Sequence, residues 1–170
     1  MHEYKEAVKE LANNREDYNF PNKGKDHAKI VLGMIFETTN DEISMFSGEL
    51  DYEILKDIFE SISSFIDRGG KLRIILDKPD IPYNDIISFL CKKNIPIKIA
   101  NDVFRKNVKA LSKNAELYHF IIGDRRAFRI EVDTNEYKAI CNFNNPDVSQ
   151  RFLKIFNDYF GDLEDFEGCR

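Results

Sequence analysis

The stretch Glu116–Asn144 holds the residues whose types and spacing could support chemistry. His119 is the strongest single candidate, because an imidazole near neutral pH can act as a nucleophile or as an acid–base group. Asp124, Arg129 and Glu131 follow it and could form a polar cluster near the ends of the strands that carry them. We therefore take His119 and Asp124 as the candidate catalytic residues.

Each of these residues also has an ordinary structural interpretation. A lone histidine on a central strand is more often a hydrogen-bonded core residue than a catalyst. Arg129 and Glu131 are two positions apart, so they share one face of a strand. For this pair we favour a cross-strand salt bridge on a half-solvated face of the sheet.

The chain concentrates positive charge around the same stretch. The candidate phosphate-binding residues are Arg105, Lys106, Lys109, Lys113, Arg125, Arg126 and Arg129. Such residues could contact the phosphates of a nucleic acid. The alternative is a solvated helix face, and apart from Phe104 the segment lacks the aromatic residues that a single-strand binder interleaves with its basic ones.

Three consecutive strands must position these side chains. Leu117–Ile122 is apolar on both faces, which is typical of a central strand covered on both sides. In the next strand Phe128, Ile130 and Val132 alternate with the two charged residues, so we expect these three to face a core and Arg129 and Glu131 to face the opposite side. A third strand over Tyr137–Phe143 completes an antiparallel meander.

The remaining elements alternate along the chain. Hydrophobic spacing predicts helices over Glu3–Asn13, Asp26–Thr38 (capped by Asp26), Asp51–Asp67, Asn84–Lys93, Asp102–Ser112 and Asp147–Phe160. It predicts further strands over Glu42–Ser47, Lys71–Leu76 and Ile97–Ala100. This order indicates an α/β fold with a mixed sheet and helices on both of its faces. We expect a helix and loop over 1–24, the α/β domain over 25–160, and a frayed acidic tail over 161–170.

Composition limits the function classes. The 170 residues carry a formal charge of −5, which argues against a protein whose whole surface binds nucleic acid. No apolar run approaches the length of a membrane span and the first residues do not resemble a signal peptide, so we expect a cytoplasmic protein without a membrane partner. Cys91, Cys141 and Cys169 are scattered, so we expect reduced thiols and neither a disulfide framework nor a zinc site. The chain shows no glycine-rich phosphate loop, and we expect no cofactor and no metal.

The order of elements resembles one copy of the phospholipase D-like fold over about residues 20–160. The resemblance lies in the segment EISMFSGEL, the strand KLRIIL, the strand that ends at Asp124, and the segment AICNFNNP before a Phe-rich helix. Active members of that superfamily carry a motif of His, any residue, Lys, four residues and Asp. The resemblance implies that the His is a nucleophile forming a phosphohistidine and that the Lys binds phosphate. It also implies that two copies face each other, from one chain or from a homodimer.

The motif is degenerate in this chain. With Asp124 at the Asp position, Leu117 occupies the His position and His119 the Lys position. With His119 at the His position, Ile121 stands for the Lys and Arg126 for the Asp. We therefore expect a non-catalytic phospholipase D-like module that dimerises or binds a protein or nucleic-acid partner. The alternative is a metal-independent phosphodiesterase or nuclease that works as a homodimer, with His119 from each chain.

Overall fold

The computed structural model describes residues 1–170, which form seven α-helices and eight β-strands. The helices are α1 (His2–Asn14), α2 (Lys25–Thr38), α3 (Tyr52–Asp57), α4 (Phe59–Asp67), α5 (Asp85–Lys92), α6 (Asp102–Lys109) and α7 (Pro146–Phe160). The strands are β1 (Phe20–Asn22), β2 (Glu42–Ser47), β3 (Lys71–Leu76), β4 (Ile97–Ile99), β5 (His119–Gly123), β6 (Ala127–Asp133), β7 (Lys138–Asn142) and β8 (Glu164–Asp165). No helix is long and apolar enough to cross a membrane.

All eight strands belong to one mixed sheet, in the order β1-β7-β6-β5-β2-β3-β4-β8. Strands β2, β3 and β4 are parallel, and helices connect them. Strands β5, β6 and β7 form the antiparallel meander, and β5 joins it to the parallel half by pairing with β2. The predicted α/β class with a mixed sheet is therefore confirmed.

The sheet separates two hydrophobic cores. The core on one face is built from helices α1 to α5, and the core on the other face from α6 and α7. Strand β5 contributes Ile121 to the first core and Phe120 and Ile122 to the second, as its two-sided apolarity predicted. Phe128 and Ile130 of β6 also face the second core, so the predicted alternation in this strand is confirmed.

The N-terminal half differs from the prediction in three places. The expected loop before Gly24 contains the edge strand β1, which pairs with β7. Asp26 does not cap α2, because Gly24 is the N-cap and Asp26 lies within the first turn. The helix expected over Asp51–Asp67 is two helices that separate at Ile58. The break was hidden in the sequence because the apolar residues of both helices pack into the same core.

The C-terminal segment is ordered, and the expectation of a frayed tail with reduced thiols is wrong. Strand β8 pairs with β4, and Leu163 and Phe166 are buried. Cys169 forms a disulfide with Cys91 of α5, while Cys141 is a free, buried thiol. The two bonded cysteines are 78 residues apart, and their spacing alone could not reveal that α5 and the chain's end meet in space.

Candidate functional site

A pocket of about 300 Å³ opens where the parallel strands β2 and β3 end and β5 begins. Its polar wall includes Asp77 directly after β3, His119 at the start of β5, and Arg129 and Glu131 on β6. Its apolar wall includes Leu32, Met45, Leu50, Ile54 and Leu55. The carboxyl ends of parallel strands are the usual ligand-binding edge of an α/β sheet.

His119 lies between two carboxylates in this pocket. Its Nε2 is 3.5 Å from Asp77 Oδ2, and its Nδ1 is 3.8 Å from Glu131 Oε1. His119 and Glu131 are direct partners in the register of β5 and β6, which explains why they meet. The side chain is 16% exposed, and Nε2 is fully buried without a hydrogen bond. The ring lies beside both carboxylates, but Nε2 makes no hydrogen bond with Asp77.

The loop after β2 comes close enough to pack on the imidazole. A Cβ atom on Gly48 would lie 2.9 Å from Cε1 of His119, well inside van der Waals contact. On the neighbouring strand, the ring of Phe46 meets the imidazole edge-on at 5.0 Å between centroids. Glycine at position 48 therefore allows the loop to hold the His119 ring in place.

Asp77 connects His119 to helix α6. Its Oδ1 accepts a 2.6 Å hydrogen bond from Nε of Arg105, and the same guanidinium also donates to the Asp77 backbone carbonyl. Arg105 further contacts Asp102 at 3.3 Å. Arg105, one of the candidate phosphate-binding residues, is therefore already paired with a carboxylate of the pocket.

Glu131 is held by Arg129 on its own strand. Nη1 of Arg129 donates to Glu131 Oε2 at 2.9 Å, Nε donates to Asn22 Oδ1 at 2.7 Å, and Nη2 donates to the Tyr137 carbonyl at 3.3 Å. Arg129 is buried, with only 6% of its surface exposed. The predicted cross-strand pair on a half-solvated face is wrong, because helix α2 packs against β6 and Asn22 of the edge strand β1 reaches Arg129.

Burial and neighbouring charges shift the pKa values of His119 and Asp77. Burial alone would lower the pKa of His119, but the Asp77 and Glu131 carboxylates outweigh burial and raise this pKa above its ordinary value. Burial likewise opposes ionisation of Asp77, yet His119 and Arg105 lower the pKa of its carboxyl group. The arrangement therefore favours the protonated His119 imidazole beside the ionised carboxylate of Asp77.

Asp124 lies at the other end of β5 and does not contact His119. Its carboxylate accepts hydrogen bonds from the backbone N–H groups of Asn40, Asp41 and Glu42, at 2.7, 2.8 and 3.1 Å. Asn40 and Asp41 belong to the connection between α2 and β2, and Glu42 is the first residue of β2. The two candidate catalytic residues thus do not form one site, and Asp124 fixes a loop.

The remaining basic residues separate into two groups. Arg125 and Arg126 lie beside Asp124, where Arg125 pairs with Glu42 at 3.2 Å and Arg126 donates to the Phe143 and Thr38 carbonyls. Burial lowers the pKa of Arg126. Lys106, Lys109 and Lys113 are exposed on α6 and just after it. The seven predicted residues therefore do not form one phosphate-binding surface.

The sequence interpretation missed several residues of the pocket. Asp77 follows a predicted parallel strand, so the rule about carboxyl ends could have pointed to it. Asp51 caps α3 through Ile54 N, accepts a 2.6 Å hydrogen bond from the Tyr137 hydroxyl, and pairs with Lys25 at 3.1 Å. No group of three His, Cys, Asp or Glu side chains is placed to hold a metal ion.

No family model and no curated protein matches the sequence. Solved structures do: Nuc from Salmonella typhimurium, a phospholipase D family member, has a TM-score of 0.64 at 15% identity and is matched over 89% of this chain and 99% of its own. NucT from Helicobacter pylori has a TM-score of 0.66 at 15% identity, over 89% of this chain and 100% of its own.

A third similar structure is TrmBL2, an archaeal chromatin protein with a novel mode of DNA binding. Its TM-score is 0.62 at 16% identity, over 96% of this chain and 61% of its own. Together these likenesses confirm that the chain has the phospholipase D-like fold suggested by its sequence. At such low identity the likeness concerns the fold, and function must be argued from the site.

Proposed function

We propose that this chain is a non-catalytic phospholipase D-like module that binds a protein or nucleic-acid partner or a second copy of itself. The observation that carries the proposal is the position of His119 between the carboxylates of Asp77 and Glu131. Leu117 occupies the nucleophile position of the motif when Asp124 takes the Asp position, and His119 then replaces the lysine.

The charges around His119 oppose phosphodiester chemistry. A phosphodiester is an anion, and next to His119 it would meet the oxygens of Asp77 and Glu131 at short range. Like charges repel strongly where solvent is excluded. Arg105 and Arg129 are both already bonded to these carboxylates. Lys78 also lines the pocket, but it is exposed and pairs with neither carboxylate. The two arginines that contact these carboxylates are therefore not free to stabilise a phosphate.

The imidazole is also poorly disposed to act as a nucleophile. Attack requires an unprotonated nitrogen that a substrate can reach, whereas Nε2 is fully buried. The neighbouring carboxylates favour the protonated ring, which has no free lone pair. These two features support a structural role for His119 in the wall of a binding pocket.

The exposed face of α6 is the best candidate for contact with a macromolecular partner. Lys106 and Lys109 on the helix and Lys113 after it extend into solvent. Exposed lysines contact phosphates as mobile point charges and also suit an acidic protein surface. We also propose a second copy of the chain as a partner, because two-fold dimers are the commonest closed assemblies.

A hydrolysis assay tests the absence of catalysis. We expect purified protein to show no cleavage of DNA, RNA or bis-p-nitrophenyl phosphate above background when EDTA is present. The His119→Ala variant should be indistinguishable from the parent protein. Turnover in EDTA that disappears in His119→Ala would overturn the proposal and support the alternative, a homodimeric phosphodiesterase. The observation that favours this alternative is that His119 lines a pocket.

Binding is tested by fluorescence anisotropy and light scattering. If α6 binds nucleic acid, the affinity for a labelled DNA or RNA oligonucleotide should fall steeply with salt. It should also fall in a variant with Lys106, Lys109 and Lys113 changed to Gln. Light scattering at micromolar concentration should give twice the 19.9 kDa chain mass if the partner is a second copy. A monomer with no salt-dependent nucleic-acid binding leaves a protein partner as the remaining form of the proposal, to be sought by crosslinking.

A further inference from the structure

Two carboxylate oxygens in the pocket receive no hydrogen bond from the chain. Asp77 uses Oδ1 for Arg105 and leaves Oδ2 facing His119. Glu131 uses Oε2 for Arg129 and leaves Oε1 facing His119 from the other side. Both residues line the pocket, and neither atom is among the fully buried polar atoms that lack a partner. The pocket thus offers two strong acceptors within one small space.

The charges on the pocket wall are unequal. Four carboxylates line it, from Glu49, Asp51, Asp77 and Glu131, against Lys78, Arg129 and, while its ring is protonated, His119. The two cations that neutralise Asp77 and Asp51 from outside, Arg105 and Lys25, are not part of the wall. Both cations approach from behind, so the uncovered oxygens of Asp77 and Glu131 are the atoms of these carboxylates that would stabilise a positive charge in the pocket.

The remaining wall is hydrocarbon. Leu32, Met45, Ile54 and Leu55 contribute side chains from α2, β2 and α3. The cavity volume of about 300 Å³ is at the small end of what ligand sites provide. A ligand that suits this pocket has a compact apolar part and a head group that donates hydrogen bonds.

We propose that the pocket binds a small organic cation, a primary ammonium or guanidinium group on a short hydrocarbon chain, through Asp77 Oδ2 and Glu131 Oε1. The proposal goes beyond the function proposed above, whose partners are macromolecules, because it assigns a small ligand to the pocket. The Nε2 atom of His119, buried and without a partner, is the group that responds when the ligand binds.

Ligand binding and protonation of His119 should oppose each other. The charged groups around the ring are Asp77 from the end of β3, Glu131 from β6, and the guanidinium groups of Arg105 and Arg129 behind them. Phe46 and Gly48, which pack on the ring from β2 and its loop, carry no charge. The two carboxylates can favour either a proton on His119 or an added cation, so a bound cation should release the proton and its affinity should rise with pH.

Three four-carbon compounds that differ in charge test the ligand class: butylammonium, 1-butanol and butyrate. Each is titrated into ¹⁵N-labelled protein at about pH 6 and about pH 8, on either side of the usual histidine range. We expect butylammonium to shift the amide signals of Gly48 and His119 and to bind more tightly at the higher pH. Its affinity should change by at most about tenfold per pH unit, the limit for release of one proton.

Two variants locate the binding. Glu131→Gln and Asp77→Asn should each weaken butylammonium binding by about tenfold, because each removes one charged hydrogen-bond acceptor from the pocket. Glu60→Gln removes an exposed carboxylate on α4 and should leave the affinity unchanged. If a pocket variant fails to fold, the comparison of the three compounds on the parent protein still decides the question.

Several outcomes would overturn the proposal: equal binding of 1-butanol, tighter binding of butyrate, tighter butylammonium binding at low pH, or no binding of butylammonium at millimolar concentration. None of these results by itself restores catalysis, which is measured separately by phosphodiester hydrolysis. Hydrolysis dependent on His119 would instead remove the proposed function, whatever butylammonium does. The two failures are therefore distinguishable.

Discussion

Similar charged residues lie at the two ends of strand β5, but they differ in how fully their hydrogen-bonding atoms are paired. At the Gly123 end, the Asp124 carboxylate receives three backbone hydrogen bonds, and Arg126 donates to two backbone carbonyls. At the His119 end, Asp77 and Glu131 each keep one oxygen without a hydrogen bond, and His119 Nε2 is unpaired. Charged groups bonded to backbone stabilise the fold, whereas unsaturated groups around a cavity are available to a ligand.

The largest effect should come from Arg129, which supports the pocket end of this comparison. Arg129→Ala leaves Glu131 and Asn22 without their partner in a buried site, and we expect a loss of about 3–5 kcal/mol in the free energy of unfolding. Phe128→Ala, on the opposite face of β6, should cost a similar 3–5 kcal/mol or so through the cavity that it leaves. Urea titration followed by circular dichroism measures both.

Arg125→Ala is the matched control for Arg129→Ala. The Arg125 side chain is 68% exposed and pairs with Glu42 at the surface. Its removal should change stability by less than about 0.5 kcal/mol. If Arg129→Ala were as mild as this control, Arg129 would be a surface residue and the buried network behind the pocket would be incorrect.

Asp124→Ala tests the saturated end of β5. The change removes the acceptor for three backbone N–H groups, and the expected cost is about 2–3 kcal/mol because those donors lose a charged partner. Hydrogen exchange should become faster at Asn40, Asp41 and Glu42, while the amides around the pocket keep their protection. Loss of protection at Gly48 and His119 instead would show that the two ends are coupled.

Gly48→Ala tests the close approach of the loop to the imidazole. The added methyl group would overlap Cε1 of His119, and we expect a cost of about 1–3 kcal/mol, as in other overpacked sites. In the double variant with His119→Ala most of this cost should disappear, because the clashing ring is gone. Additive losses in the double variant would mean that the loop does not pack on His119.

The smallest effect concerns pH. His119 has a raised pKa in the folded state, so its contribution to stability is fully present below the pKa of the unfolded chain and is lost as pH rises through the higher folded value. The stability difference between the parent protein and His119→Gln should therefore shrink as the pH rises above the usual histidine pKa of about 6.5, by no more than about 1.4 kcal/mol per pH unit.

The contribution of Asp77 to stability has the opposite pH dependence and changes only in acid. Its folded pKa is lowered, so its contribution is present above the unfolded pKa and is lost as pH falls through the folded value. The advantage of Asp77 over Asn should therefore decrease only in acid. A parent-minus-His119→Gln difference that grows towards alkaline pH would contradict the assignment of a protonated imidazole between two carboxylates.

Local patterns in the sequence were sufficient to predict much of the fold. The two-sided apolarity of β5 and the alternation in β6 are properties of consecutive residues, and both predictions agree with the structure. Gly123 and Asp124 are residue types that favour turns, and Asp124 adopts a left-handed backbone conformation directly after β5.

Partners that are distant in the sequence could not be predicted in the same way. Arg129 appeared to be a surface residue, because its partner Asn22 is 107 residues away in a short edge strand that was taken for a loop. The Cys91–Cys169 disulfide and the contact between His119 and Asp77 also join residues that are distant in the sequence. Such contacts depend on which element covers which face of the sheet, and a single sequence contains no periodic signal for that.

The central claim is that His119 supports a binding pocket and is not a nucleophile. Intact-mass analysis after incubation with bis-p-nitrophenyl phosphate and an acid-free quench tests this claim most directly. A nucleophilic His119 would displace p-nitrophenolate and retain the p-nitrophenyl phosphoryl group on a ring nitrogen. We predict an unmodified chain mass in both the parent protein and His119→Ala. A phosphoryl adduct that maps to His119 and is absent from His119→Ala would contradict the account.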